Sequence, residues 1–150
     1  MQKSGGESLF QGSSALTLDA KGRISIPTRH RDALKSQVEG RLTLTRHPDG
    51  CLLVYPRDVW EQKREQIAAF PMSARPLQRL LLGYAQDVDM DGSGRILVAP
   101  ELRQAAGLER DVLLMGLVSH FELWDSARWA QREAEDLAKG MSEGMEQFSF

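Results

Sequence analysis

Apolar and polar residues alternate in short runs along this chain, and glycine or proline closes most of the runs. In ALTLD (15–19), Leu16 and Leu18 fall on one side, and in VDMD (88–91), Val88 and Met90 do the same. A period of two predicts half-buried strands. Each is followed by a glycine-containing turn and a second short strand, RISIP (23–27) or RILVAP (95–100). Short helices are predicted next. Thr28 stands as N-cap ahead of RHRDALK, and Pro100 as a first-turn residue of ELRQAAG, which stops at Gly107. The apolar runs RLTLT and CLLVY, then DVLLMGLV and HFELW, predict two further core strands in each half. Asp58 and Glu61 have the spacing of a capping box before WEQKREQIAAF. SARPLQRLLLGYA (73–85) predicts a bridging helix, and Asp125 or Ser126 a cap for SARWAQREAEDLAKG, which ends at Gly140. The first eight and last ten residues are expected to fray.

The pattern occurs twice. A shift of 72 residues lays LTLDAKGRISIPTRHRDAL (16–34) on VDMDGSGRILVAPELRQAA (88–106). Asp19, Gly22, Arg23, Ile24, Arg31 and Ala33 then meet identical residues at 91, 94, 95, 96, 103 and 105. Further on the shift becomes 69, and Trp60 falls on Trp129. A unit of roughly 50 residues buries too little apolar surface to stand alone. The two copies are therefore expected to pair with each other by pseudo-twofold symmetry. The predicted organisation is an extension over 1–9, repeats over 10–60 and 83–129, a helical connector over 61–82, and a helix with an acidic tail over 130–150.

Composition narrows the function. The chain has 150 residues, 41% of them apolar, with no run long enough for a membrane span and no apolar leader at the N-terminus. Its one cysteine, Cys51, lies in an apolar strand run and reads as a buried structural thiol, which fits a cytoplasmic location. No nucleophile elbow, phosphate loop or zinc spacing is present, so neither an enzyme, a small-molecule substrate, a cofactor nor a metal is expected. DVDMDG (87–92) copies the start of a calcium loop, but the twelfth position is Val98 where a bidentate Glu is required. The net charge of −2 hides an uneven distribution. Residues 131–150 hold five acids and two bases, whereas 15–35 hold five bases and two acids.

That basic window contains one of two matching turns, DAKGR (19–23) and DGSGR (91–95). An Asp four residues before an Arg, across a glycine turn, can accept from the turn backbone or from the guanidinium. On the plain structural reading the pair only fastens the turn. On the functional reading it presents a cation whose planar fork suits phosphate oxygens and the O6/N7 edge of guanine. Arg23 would then be oriented by Asp19, with Lys21, Arg29 and Arg31 adding phosphate contacts. His30, among these arginines, is expected at the surface or on phosphate. The second copy offers Arg95 and Arg103 but follows a run of aspartates. The first turn is therefore expected to be the principal reader, and the second a weaker or mainly structural echo.

LFQGSSALTLDAKGRISIPTRHRD, CLLVYP, LQRLLLGYAQDVDMDGSGRILVAPELRQAAGL and FELWD together resemble the MraZ family, over about Phe10 to Trp129. The family's doubled signature falls on Asp19 and Arg23, and on Asp91 and Arg95. Residues 1–9 precede the family's usual start near Phe10-Gln11-Gly12. The resemblance implies an α+β, mainly β fold of two pseudo-symmetric, swapped-hairpin AbrB-type repeats with peripheral helices. It implies a DNA-binding transcriptional repressor of its own division and cell-wall operon. Double-stranded DNA, at short G-rich direct repeats in the promoter, would be the partner. The protein would be a ring-shaped homo-oligomer, octamer-type or larger, in the cytoplasm and on the nucleoid. The expected DNA-binding residues are Arg23, Lys21, Arg29, Arg31, Arg95 and Arg103, supported by Asp19, Gly22, Asp91 and Gly94. The competing expectation is a ring-forming protein-interaction module that does not read DNA.

Overall fold

The structure, a computed structural model, describes residues 9–150, so the predicted fraying of the first eight residues lies outside it. Eight strands, β1 (Phe10–Thr17), β2 (Arg23–Ser25), β3 (Arg41–Arg46), β4 (Leu52–Pro56), β5 (Gln86–Asp89), β6 (Arg95–Leu97), β7 (Asp111–Val118) and β8 (Phe121–Asp125), form two sheets. Six helices lie at the periphery: α1 (Thr28–Val38), α2 (Arg57–Ala68), α3 (Arg75–Gly83), α4 (Pro100–Ala105), α5 (Ser126–Lys139) and α6 (Ser142–Gln147). The class is α+β, built on antiparallel pairing.

The larger sheet has the order β1-β7-β8-β4-β3-β5. Read from either end it gives the leading strand of one repeat and then the two later strands of the other. β1 pairs with β7, from Phe10 opposite Val118 to Thr17 opposite Asp111. β5 pairs with β3, from Arg41 opposite Asp89 to Leu44 opposite Gln86. Each repeat thus lends its leading strand to the other. The smaller sheet is a ribbon of β2 and β6 in which Ile24 faces Ile96, residues equivalent under the shift of 72. The pseudo-twofold axis passes through that pair. Pairing with the eight-residue β7 also carries β1 back to Phe10, well before the predicted start at residue 15.

One apolar core fills the space between the elements. Ile24, Ile26, Ile96, Val98, Leu44 and Leu114 are buried in it together, so both repeats contribute to a single interior. Burying each such side chain is worth roughly 1.5–3 kcal/mol over leaving it exposed. A second cluster packs α2 and α3 on the outer face of β4 through Leu53, Tyr55, Trp60 and Ile67. Equivalent aromatic pairs seat equivalent helices: Tyr55 with Trp60 under α2, Trp124 with Trp129 under α5, at centroid distances of 5.8 and 5.3 Å.

Several helix ends depart from expectation. Thr28 is the first residue of α1, not its cap; Pro27 takes the cap position and no side chain bonds there. α2 starts at Arg57 behind Pro56, so Asp58 lies within the first turn, bonds to Val59 N, and forms no box with Glu61. In both places a proline at φ near −55° supplies the extended residue that a Ser, Thr or Asp cap would otherwise provide. α5 does have a side-chain cap, Asp125, which accepts from Arg128 N at 3.3 Å. The connector forms a 3₁₀ turn (Met72–Ala74) and then α3. The tail, expected to fray, forms the short, exposed α6.

Candidate nucleic-acid interface

The two DxxxR turns are superimposable in their bonding. Asp19 Oδ1 accepts from the backbone N–H of Lys21 and of Arg23, both at 2.9 Å. Its Oδ2 accepts from Arg23 Nε at 2.8 Å. Asp91 Oδ1 accepts from Ser93 N and Arg95 N, and Oδ2 from Arg95 Nε at 3.0 Å. The chain reverses through Gly22 N to Asp19 O and Asp19 N to Arg23 O, and through the same two bonds at Gly94, Asp91 and Arg95. Gly22 and Gly94 have φ of +81° and +80°, where a side chain is strained. The backbone donors from Arg23 and Arg95 are the leading reason that both aspartates sit below the ordinary carboxylate range. Each carboxylate therefore stays ionised at neutral pH and grips both the turn and the arginine.

Pleating decides what the ribbon shows. Ile24 and Ile96 point into the core, so their neighbours point outward together. Arg23 stands opposite Leu97, and Ser25 opposite Arg95. These four residues form one outward face, with Ser25 and Leu97 exposed and the arginine side chains 27% and 36% accessible. The bond through Nε leaves the terminal nitrogens of Arg23 and Arg95 without a side-chain or backbone acceptor among the described residues. The alternation of RIS and RIL would have disclosed Ser25 and Leu97 as face residues once the inward isoleucines were set; sequence reasoning passed over both.

The remaining predicted residues surround this face unevenly. Lys21 is exposed at the tip of the first turn, where the second has Ser93. Arg29 is exposed and donates to Ser14 Oγ at 2.9 Å and to His30 Nε2 at 3.2 Å. At the equivalent place Glu101 accepts from Gln86, itself the counterpart of Ser14. The same link between helix and leading strand is kept, with its charge reversed. Arg31 and Arg103 are half-buried and turn their Nε to Ile26 O and Val98 O at 2.6 and 2.9 Å. Among the described residues, none of Lys21, Arg29, Arg31 or Arg103 lies within ion-pair distance of a carboxylate. His30 is not at the surface. It is buried between Phe10 and Phe121, at 5.6 and 5.1 Å, because α1 turns its Leu34 side, and His30 with it, into the core. Burial, then Arg29, holds its pKa below the usual value.

The acidic run and the cysteine have other partners. Asp87 accepts from Thr43 Oγ1 at 2.7 Å and lies 3.6 Å from Arg57, which also approaches Asp89 at 3.9 Å. Asp91 belongs to Arg95. The three carboxylates of DVDMDG thus divide between two cations, Asp87 and Asp89 toward Arg57 and Asp91 toward Arg95. Cys51 is buried, and burial followed by the Glu122 and Asp49 carboxylates pushes its thiol pKa far up, so it is no nucleophile.

A family described as "MraZ protein, putative antitoxin-like" matches the chain twice, over residues 9–83 and 80–148. Proteins named Transcriptional regulator MraZ are similar along its length. That of Bordetella pertussis is 77% identical over 142 residues, 95% of this chain and 100% of the relative. Those of Herminiimonas arsenicoxydans and Cupriavidus pinatubonensis are 63% and 59% identical over the same shares. Each match contains one of the two DxxxR turns, and the chain belongs to the MraZ family.

Proposed function

We propose that this chain is a transcriptional regulator that binds double-stranded DNA through the outward face of the β2–β6 ribbon. The observation that carries the proposal is the pair of arginines on that face, each held at Nε by an aspartate and each with its terminal nitrogens unengaged among the described residues. A two-stranded ribbon fits the major groove, and a pre-oriented guanidinium matches the O6/N7 edge of guanine. Arg23 and Arg95 are the readers. Lys21, Arg29, Arg31 and Arg103 make the surrounding ground basic, and Asp19, Gly22, Asp91 and Gly94 fix the turns. Repeat 1 supplies the greater share of affinity, since Lys21 and Arg29 face Ser93 and Glu101 at the equivalent places. The working units are 10–60 and 83–129, with 61–82 as connector and 130–150 outside the DNA face.

The finer reading is an autorepressor that binds short G-rich direct repeats in its own promoter as a ring, in the cytoplasm and on the nucleoid. Exposed Leu117, Val118, Leu137 and Met141 offer apolar surface for such an assembly to bury. A chain of net charge −2 can bind weakly at each site and still hold by effective concentration when neighbouring subunits engage neighbouring repeats. The test is fluorescence anisotropy with a duplex of the DNA immediately upstream of the chain's own gene. Arg23→Ala should weaken specific binding by about one to two orders of magnitude while light scattering shows an unchanged assembly mass. Wild-type affinity should fall steeply with salt, as phosphate contacts require. Unchanged binding by the variant would overturn the residue assignment. Random-DNA selection that enriched no sequence would favour a protein-interaction module instead.

A further inference from the structure

Arg31 and Arg103 do not pack on their own turns. A Cβ on Gly22 would lie 2.7 Å from Arg103 Cζ and 2.9 Å from its Nε. A Cβ on Gly94 would run into Arg31 Nε, Cδ and Cζ. Each guanidinium therefore occupies the space that the missing side chain of the opposite repeat's glycine leaves open. A backbone circuit closes around each contact. Ile26 N donates to Gly94 O at 2.7 Å, and Ile26 O accepts from Arg31 Nε. Val98 N donates to Gly22 O at 2.9 Å, and Val98 O accepts from Arg103 Nε. The glycine, the residue just after the strand and the arginine thus lock one another across the pseudo-twofold axis, twice.

The geometry points to Arg31 and Arg103 as crossed positioning residues: Arg103, in repeat 2, sets the turn that aims Arg23, and Arg31, in repeat 1, sets the turn that aims Arg95. This rests on the DNA reading proposed above. It also gives Gly22 and Gly94 a second reason to be glycine besides their positive φ. Arginine suits the task because its planar fork can bond a carbonyl through Nε while its face covers a peptide. A lysine offers neither the plane nor that Nε–H.

The consequence is a crossed phenotype. If repeat 1 is the principal reader, Arg103→Ala weakens DNA binding more than Arg31→Ala, although Arg103 lies in the other repeat. Double-mutant cycles on the full chain separate this from direct contact. With the upstream duplex as probe, Arg103→Ala should cost about tenfold in affinity. It should cost nothing further in an Arg23→Ala background, and should multiply with Arg95→Ala. Arg103→Lys should behave like Arg103→Ala, since a charge alone cannot restore the lock. Rescue by lysine, or a full extra loss on top of Arg23→Ala, would overturn the proposal in favour of a direct phosphate contact. Hydrogen exchange without DNA supplies the independent arm. Arg103→Ala should loosen amides at 22–24, and Arg31→Ala those at 94–96. Loosening confined to each arginine's own repeat would overturn the crossed assignment. If Arg23→Ala leaves DNA binding intact, the DNA reading fails while the exchange pattern still decides the lock.

Discussion

Asp19 and Asp91 each use one oxygen on the turn backbone and the other on a guanidinium, so the two functions can be separated by substitution. Asp19→Asn keeps an oxygen for the two amides but sets an NH₂ against Arg23 Nε. Thermal unfolding should stay close to wild type while DNA affinity falls. Asp19→Ala removes both acceptors and should lower the unfolding midpoint as well. Because both carboxyls titrate below the ordinary range, the turns should hold until the pH drops beneath it. His30 acts at higher pH. Its folded pKa is lowered, so the unfolded chain takes up a proton that the folded chain refuses. Stability is complete above about pH 7 and declines as the pH falls through ~6.5. His120, lowered by burial, adds to the decline with the same sign. A thermal midpoint clearly lower at pH 5 than at 7.5 is expected, and His30→Leu should shrink the difference. Leucine is what repeat 2 carries at the equivalent position, Leu102, where it is buried.

Equivalent helices are not equally anchored. Trp60 is 2% exposed and shares its cluster with Ile67 and the connector residues Phe70, Leu81 and Leu82. α5 has the matching Trp129, but no α3 lies over it and none of its residues is buried. Trp60→Ala should therefore cost about 3–5 kcal/mol, the range for large core truncations. Trp129→Ala should cost distinctly less and mainly release α5. Urea unfolding of the two variants checks the ranking, and equal losses would contradict it. α5 is otherwise tied down by Arg128 to Gly50 O at 3.0 Å and by Arg132 beside Asp49 at 3.3 Å. Such exposed polar contacts contribute little next to a buried indole.

At the scale of the whole molecule, exchange of leading strands makes the repeats inseparable. β1 has its hydrogen-bond partner in β7 and β5 in β3, so neither half holds its own first strand. A fragment ending at residue 82 should show no cooperative unfolding as a monomer, and mixing it with 83–150 should restore the transition. Circular dichroism with sedimentation analysis tests this; a stable, monomeric single repeat would refute it. The exchange also places the outward face of the β2–β6 ribbon, the proposed DNA face, on the pseudo-twofold axis, with its four outward residues drawn evenly from both repeats. Chemical inequality then comes from side chains alone. Lys21 against Ser93, Ser25 against Leu97 and Arg29 against Glu101 tilt a nearly symmetric scaffold toward one end.

The sequence by itself determined the repeat, most of the strands and helices, and the Asp–Arg turns. The repeat follows from residue identities at a shift of 72, and the elements and turns depend on spacings of two to four residues, over which backbone geometry leaves few choices. It did not determine the caps at Pro27 and Pro56, where an extended proline served as well as a hydrogen-bonding side chain. Nor could it bury His30, because the ring's neighbours, Phe10 and Phe121, come from distant strands. Tertiary structure alone decided which strand pairs with which, and hence that Arg31 rests on Gly94 and Arg103 on Gly22. Periodicity tells a strand which face to bury but not which edge to join; that choice was left to the shared core of the two repeats.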